Sequence, residues 1–228
     1  MSNSVKYFIG VDVQISRGCA IYILGRQAEY INSGWATGGT ITEICDNLQN
    51  AVRQYPGDDI AIGIDAPRMP LISPRQYYRD NKINNWRKRR AGDKGKGRHC
   101  EVVIKSLGLG NPQWTPLLSD APEWMQLGFE IFKRFAYIKN VFEVFPSASY
   151  RMLNEEKGYE VGLTFAHFQR GPKDMLDACM AAYTVYEFIN GRGSQVGGGD
   201  GMGTIVLPRK TERGAGTGVM TWPRNDFT

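Results

Sequence analysis

Ile60-Ala61-Ile62-Gly63-Ile64-Asp65-Ala66-Pro67 is an unbroken apolar run that ends on a carboxylate and is then stopped by a proline. Continuous apolar character fits a strand buried on both faces, as in the middle of an α/β sheet. Pro67 lacks an N–H and so ends the hydrogen-bond ladder. Asp65 is therefore expected at the carboxyl end of a central strand, where open α/β sheets place their ligands. Val5-Lys6-Tyr7-Phe8-Ile9-Gly10-Val11-Asp12 has the same construction, an apolar strand followed by an aspartate. If the two strands lie parallel and adjacent, Asp12 and Asp65 converge.

Between these two stretches the pattern reads as strands at 18–25 and 28–35, joined to the first by short turns. Connections this short make an antiparallel meander. Thr40 or Thr42 then caps a helix to about Tyr55, with Ile41, Ile44, Leu48 and Val52 on one face. After Pro67 the chain reads as irregular to about residue 98, and a loop this long inside a compact domain is expected to be functional or mobile. Further on, helices are expected at 98–107, 121–137, 147–155 and 172–189, a fifth strand at 140–145 and a short strand at Thr204–Leu207. The domain spans 1–208 with a basic loop insertion at about 68–98, and 209–228 is a tail without periodicity.

The chain has 228 residues and a net charge of +5. Residues 82–98 hold eight basic side chains and one acid, so the rest of the chain carries −2. The basicity belongs to one segment, and a phosphate-bearing partner, nucleic acid above all, is the natural inference. Lys82, Arg87, Lys88, Arg89, Arg90, Lys94, Lys96 and Arg98 supply that charge. Trp86, with Tyr77 and Tyr78 nearby, offers stacking on bases or packing of the loop onto the domain. Arg68 follows the Asp65 turn directly and is placed to meet a phosphate. Four scattered cysteines suit a reducing cytoplasm, and two histidines exclude a His-rich metal site. No apolar run reaches the ~18 residues of a membrane span, and no secretory leader is legible.

A meander followed by alternating helices and strands is the ribonuclease H-like order, which places the first and fourth strands as parallel neighbours. The expected fold is an α/β, ribonuclease H-like mixed five-stranded sheet with flanking helices. Five motifs then occur in sequence: Gly10-Val11-Asp12, Ile64-Asp65-Ala66-Pro67, Arg98-His99-Cys100-Glu101, Glu143-Val144-Phe145-Pro146 and Lys173-Asp174-Met175-Leu176-Asp177-Ala178. As an ordered set over roughly residues 6–207, they resemble the predicted ribonuclease H-like nuclease family known as domain-of-unknown-function family 429. After Asp12, Val13-Gln14-Ile15-Ser16-Arg17 replaces the glycine-rich turn more usual there.

Clustered carboxylates repel one another unless one takes a proton or a cation intervenes. An all-oxygen site selects magnesium or manganese over zinc. Asp12 and Asp65 are the first candidates. Asp177 is the third, because its helix carries Ala178 and Ala181 on the same side and can approach the sheet closely. Asp174 is a fourth ligand or a helix-end charge. Glu143 is either an assisting carboxylate or an edge residue facing water. Asp200 is an outside candidate, whereas His99, a lone histidine beside the basic loop, reads as exposed rather than as a general base. The resulting expectation is a metal-dependent nuclease using Mg2+ or Mn2+. The alternatives are a non-catalytic nucleic-acid-binding module of the same fold and a small-molecule phosphohydrolase. A two-unit sugar-kinase architecture is disfavoured by a single meander.

Overall fold

The computed structural model describes residues 5–80, 82–83, 85–154, 172–211 and 220–223. Its frame is a mixed sheet built from β1 (Tyr7–Asp12), β2 (Cys19–Leu24), β3 (Tyr30–Ala36), β4 (Ile60–Asp65), β7 (Val141–Val144), β8 (Ser194–Gly197) and β9 (Thr204–Leu207). The order is β3-β2-β1-β4-β7-β9-β8, seven strands where five were expected. The meander β1–β2–β3 is antiparallel, and β1, β4, β7 and β9 run parallel. The addition at the far edge comes from the glycine-rich stretch, whose first residues pair as β8 antiparallel to β9. Irregular composition hid β8, since Val196 is the one apolar side chain it buries.

Helices cover both faces. Period-two alternation sends Ile9, Val11, Ile60, Ile62 and Ile64 to a face covered by α1 (Ile41–Val52) and α3 (Glu123–Arg134). Thr40 caps α1 by accepting from the Glu43 N–H at 3.2 Å. On the other face Phe8, Ala20, Tyr22, Ala61 and Val144 pack against α5 (Pro172–Ile189), which contributes Met175, Ala178, Ala181, Ala182 and Val185. A third cluster joins α2 (His99–Ser106) and α4 (Pro146–Asn154) to the β8–β9 edge.

The basic segment is not wholly irregular. Tyr77–Asp80 (β5) and Asn85–Lys88 (β6) pair as a separate antiparallel hairpin. Trp86 anchors it, buried to 6% exposure among Val102, Tyr77, Trp114 and Trp222. Trp222 belongs to the segment expected to be an unconstrained tail, yet its ring lies 5.6 Å from that of Trp86 and 5.2 Å from that of His99. The remainder of that tail, 212–219 and 224–228, lies outside the described residues.

The contact that fixes the layers is between backbones. A Cβ on Gly10 would overlap the Ala178 carbonyl oxygen, and one on Gly63 would lie 2.7 Å from the Ala181 carbonyl oxygen. Gly10 and Gly63 are register partners on β1 and β4. The two glycines and three alanines thus let α5 rest directly on the central strands. Gly10→Ala is expected to lower stability by at least the ~1–3 kcal/mol of ordinary overpacking. Urea unfolding measures it, and an unchanged midpoint would contradict this packing.

Candidate metal centre

Asp12 and Asp65 are themselves register partners at the carboxyl ends of β1 and β4. Two residues beyond Gly10 and Gly63, they point to the α5 face. Asp177 descends from α5 one residue before Ala178, the residue against which Gly10 packs. Carboxylate oxygens of Asp12, Asp65 and Asp177 all lie within 4.8 Å of one another. Asp12 and Asp177 are buried and Asp65 is half-buried. They line a cavity of about 580 Å³ with Pro67, Gln113, Trp124 and Phe145 among its walls.

The electrostatics of this cluster are unfavourable without a cation. Burial first, then the Asp177 and Asp174 charges, push the Asp12 carboxyl up to about 7. Burial, with Asp12 and Asp177 as neighbours, holds Asp65 well above the usual carboxylate range. Burial and the adjacent Asp177 likewise raise the Tyr150 phenol. Lys173 pairs with Asp177 from an exposed stem and offsets part of the repulsion. Three oxygen donors at this separation, two of them reluctant to ionise, fit a small divalent cation.

Asp174 does not join them. It accepts from Gln14 Nε2 at 3.0 Å and from Arg17 Nη2 at 2.9 Å. Gln14 also reaches Asp12 Oδ2 at 3.4 Å. Asp174 is the acidic residue of the first turn of α5, as the helix-end reading has it, and it also ties the Val13–Arg17 turn to the start of that helix.

Glu143 is buried, so it is not an edge residue facing water. It pairs in register with Ile64, not with Asp65, so strand alternation turns it to the opposite face. There its oxygens accept from both Arg98 Nη atoms and from the Arg68 N–H at 2.9 Å. Arg98 also binds Glu101 through Nε at 3.0 Å and Nη2 at 2.9 Å, and Glu101 accepts from the Thr115 N–H at 3.0 Å. Burial raises the Glu143 carboxyl and Arg98 draws it back. The network forms part of the wall of the same cavity, and Glu143 is not among the three carboxylates whose oxygens lie within 4.8 Å of one another.

Two residues expected to touch nucleic acid are thereby removed from that role. Arg98 is 0% exposed within this network, and Trp86 is interior to the hairpin anchor. Arg68 is engaged as well, donating from Nη2 to the Val141 carbonyl at 2.6 Å, with its guanidinium 4.7 Å from the Phe132 ring centroid. Arg87 pairs with Asp93 at 2.7 Å. Lys88, Arg89, Arg90, Lys94 and Lys96 stay exposed. His99 and Asp200 belong to scaffolding: Asp200 accepts from the His99 N–H at 2.7 Å at the start of α2, and His99 Nδ1 accepts from the Gly199 N–H at 3.1 Å.

The close-packing glycines were the signal overlooked in the sequence. A glycine inside a strand marks close approach of another backbone, and Gly10 and Gly63 each stand two residues before a candidate aspartate. No protein-family model, curated protein or solved structure matches this chain.

Two outcomes follow from these electrostatics. The native state holds the Asp12 proton more tightly than the unfolded chain, whose aspartates titrate near ~3.9. That contribution is fully present below about pH 4 and is lost as pH rises through about 7. In EDTA, the stability of Asp12→Asn relative to wild type should therefore grow across this window. Magnesium at ~100 times its Kd should return about 2.7 kcal/mol to wild type alone. Parallel urea curves for the two proteins at all pH values would refute the shift. Separately, Glu143→Ala leaves Arg98 with Glu101 as its remaining carboxylate partner and takes the carboxylate from its Nη1, and should cost about 1–3 kcal/mol with or without metal. A loss confined to metal-loaded protein would mark Glu143 as a ligand.

Proposed function

We propose that this chain is a metal-dependent phosphodiester hydrolase built on a ribonuclease H-like sheet, with nucleic acid as substrate. The observation that carries this reading is the convergence of Asp12, Asp65 and Asp177 from two parallel strand ends and a crossing helix. The strand order supports the fold assignment: β3-β2-β1-β4-β7 is a meander followed by parallel strands, and β9-β8 extends it. The family resemblance of the five sequence motifs points the same way.

Asp12, Asp65 and Asp177 would hold magnesium or manganese. When bound, such ions supply activation of water and neutralise charge on the leaving oxygen. The chain's own residues do the rest. Gln14, held by Asp174, restrains the Asp12 side chain. Arg98 with Glu143 and Glu101 stiffens the wall behind Asp65. Trp124, Phe145 and Pro67 form the apolar part of the cavity wall. The exposed basic residues 88–96 lower the repulsion that a polyphosphate chain would meet near an acidic centre.

A second reading, a small-molecule phosphoesterase, is favoured by the volume of the cavity, which suits a mononucleotide-sized ligand. One assay separates the two. Purified protein with manganese is offered single-stranded and duplex DNA, RNA and a chromogenic phosphodiester and monoester. Polynucleotide cleavage abolished by EDTA is the expected result. Asp12→Asn, Asp65→Asn and Asp177→Asn should each reduce the rate at least ~100-fold, beyond the loss typical of residues that only support a ligand. Turnover of the small esters alone would favour the second reading. Cleavage indifferent to EDTA and to all three substitutions would remove the metal centre.

A further inference from the structure

A second cavity, of about 610 Å³, lies beside the basic hairpin and is lined by Arg75, Tyr78, Lys94, Lys96, Trp114 and Gln113. Gln113 also lines the aspartate cavity, so the two hollows share a wall. Arg75 is the unusual residue here. Its Nε and Nη1 are buried and have no hydrogen-bond partner among the described residues. Its guanidinium carbon sits 3.9 Å from the Tyr78 ring centroid and 5.2 Å from that of Trp114. The aromatic faces hold the plane of the guanidinium, and Nε and Nη1 stay unpaired.

The surroundings are built to keep this arrangement. The Arg75 N–H donates to the Gly95 carbonyl at 2.8 Å, and the Gly97 N–H to the Thr115 carbonyl at 2.7 Å. The Gly95 N–H donates to the Tyr78 hydroxyl at 2.7 Å. Gly97 has φ +100°, and a Cβ there would lie 2.8 Å from Arg75 Nη1. The glycine therefore opens the space that the guanidinium occupies. Two carboxylates line the cavity as well, but Asp93 is taken by Arg87 and by the Arg90 N–H, and Asp120 is on the exposed side. Burial lowers the Arg75 pKa, but a guanidinium remains charged. A buried, charged donor without an acceptor is costly unless an anion supplies one.

We propose that this cavity is a phosphate subsite, in which Arg75, with Lys94 and Lys96 at its rim, holds a substrate phosphate other than the one presented to the aspartates. The substrate half of the proposal rests on the hydrolase reading; the anion binding does not. A guanidinium offers paired N–H donors that match phosphate oxygens. A second phosphate held across the Gln113 wall makes an oligonucleotide the substrate class, not a phosphomonoester.

The test is calorimetric titration in EDTA, without sulfate, using inorganic phosphate in one arm and a single-stranded tetranucleotide in the other. Wild type should bind both, the tetranucleotide more tightly. Arg75→Met should weaken both at least ~10-fold, and Arg75→Lys should recover part of the loss. Should Arg75→Met fail to fold, Lys94→Ala/Lys96→Ala alters exposed positions only and should weaken binding with an unchanged melting temperature. Binding that is absent in wild type, or equal in all variants, overturns the subsite. Phosphate binding without tetranucleotide binding overturns its assignment to the substrate. Arg75-dependent binding by a protein that cleaves nothing removes the hydrolase reading and leaves the anion site standing. Cleavage whose KM is unmoved by Arg75→Met does the reverse.

Discussion

Everything at the candidate centre depends on how closely α5 can approach β1 and β4. Helices usually stand off a sheet by the thickness of two layers of side chains. Here the strand side contributes Gly10 and Gly63 and the helix side contributes Ala178, Ala181 and Ala182, so main chain meets main chain. A carboxylate is a short side chain. Asp177 can meet Asp12 and Asp65 only because the helix that carries it has been drawn in. The small residues are therefore part of the centre, although none of them carries chemistry.

The two faces of the sheet handle buried acid in opposite ways. On one, Glu143 and Glu101 share the Arg98 guanidinium, and backbone donors from Arg68 and Thr115 complete their shells. Such a network is closed: each charge has a partner fixed by the fold, and its contribution is to shape as much as to stability. On the other face, Asp12, Asp65 and Asp177 have one exposed lysine between them. That imbalance raises the proton affinity of Asp12 and Asp65, and a divalent cation would relieve it. Only the second arrangement leaves coordination capacity unused.

Much of this was legible in the sequence because it rests on local pattern. Uniform apolar runs ending in aspartate identified β1 and β4, and the alanines around Asp177 identified the approaching face of α5. What escaped depends on partners distant in sequence. The sequence shows that Glu143 is in a strand, but which face it takes is decided by register with Ile64 across the sheet. Arg98 reads as one more charge in a basic run until Glu143, some 45 residues away, comes to meet it. Trp86 looks like a stacking platform until Trp222, from the far end of the chain, closes over it. Short strands such as β8 carry too few apolar residues for alternation to register.

The basic segment shows how packing sorts charges that composition lumps together. Of the eight cations in residues 82–98, Arg98 is spent on the interior network and Arg87 on Asp93. The Trp86 anchor fixes the hairpin against α2, so the cations after it are displayed on a braced loop. Arg75, which precedes the cluster and was not counted with it, is the cation among the described residues with two side-chain donors, Nε and Nη1, both buried and unmet. Charge density alone would rank it last. Desolvation reverses the order, since an exposed lysine is already satisfied by water, whereas a guanidinium with two donors shut off from it gains more from an anion that can reach it.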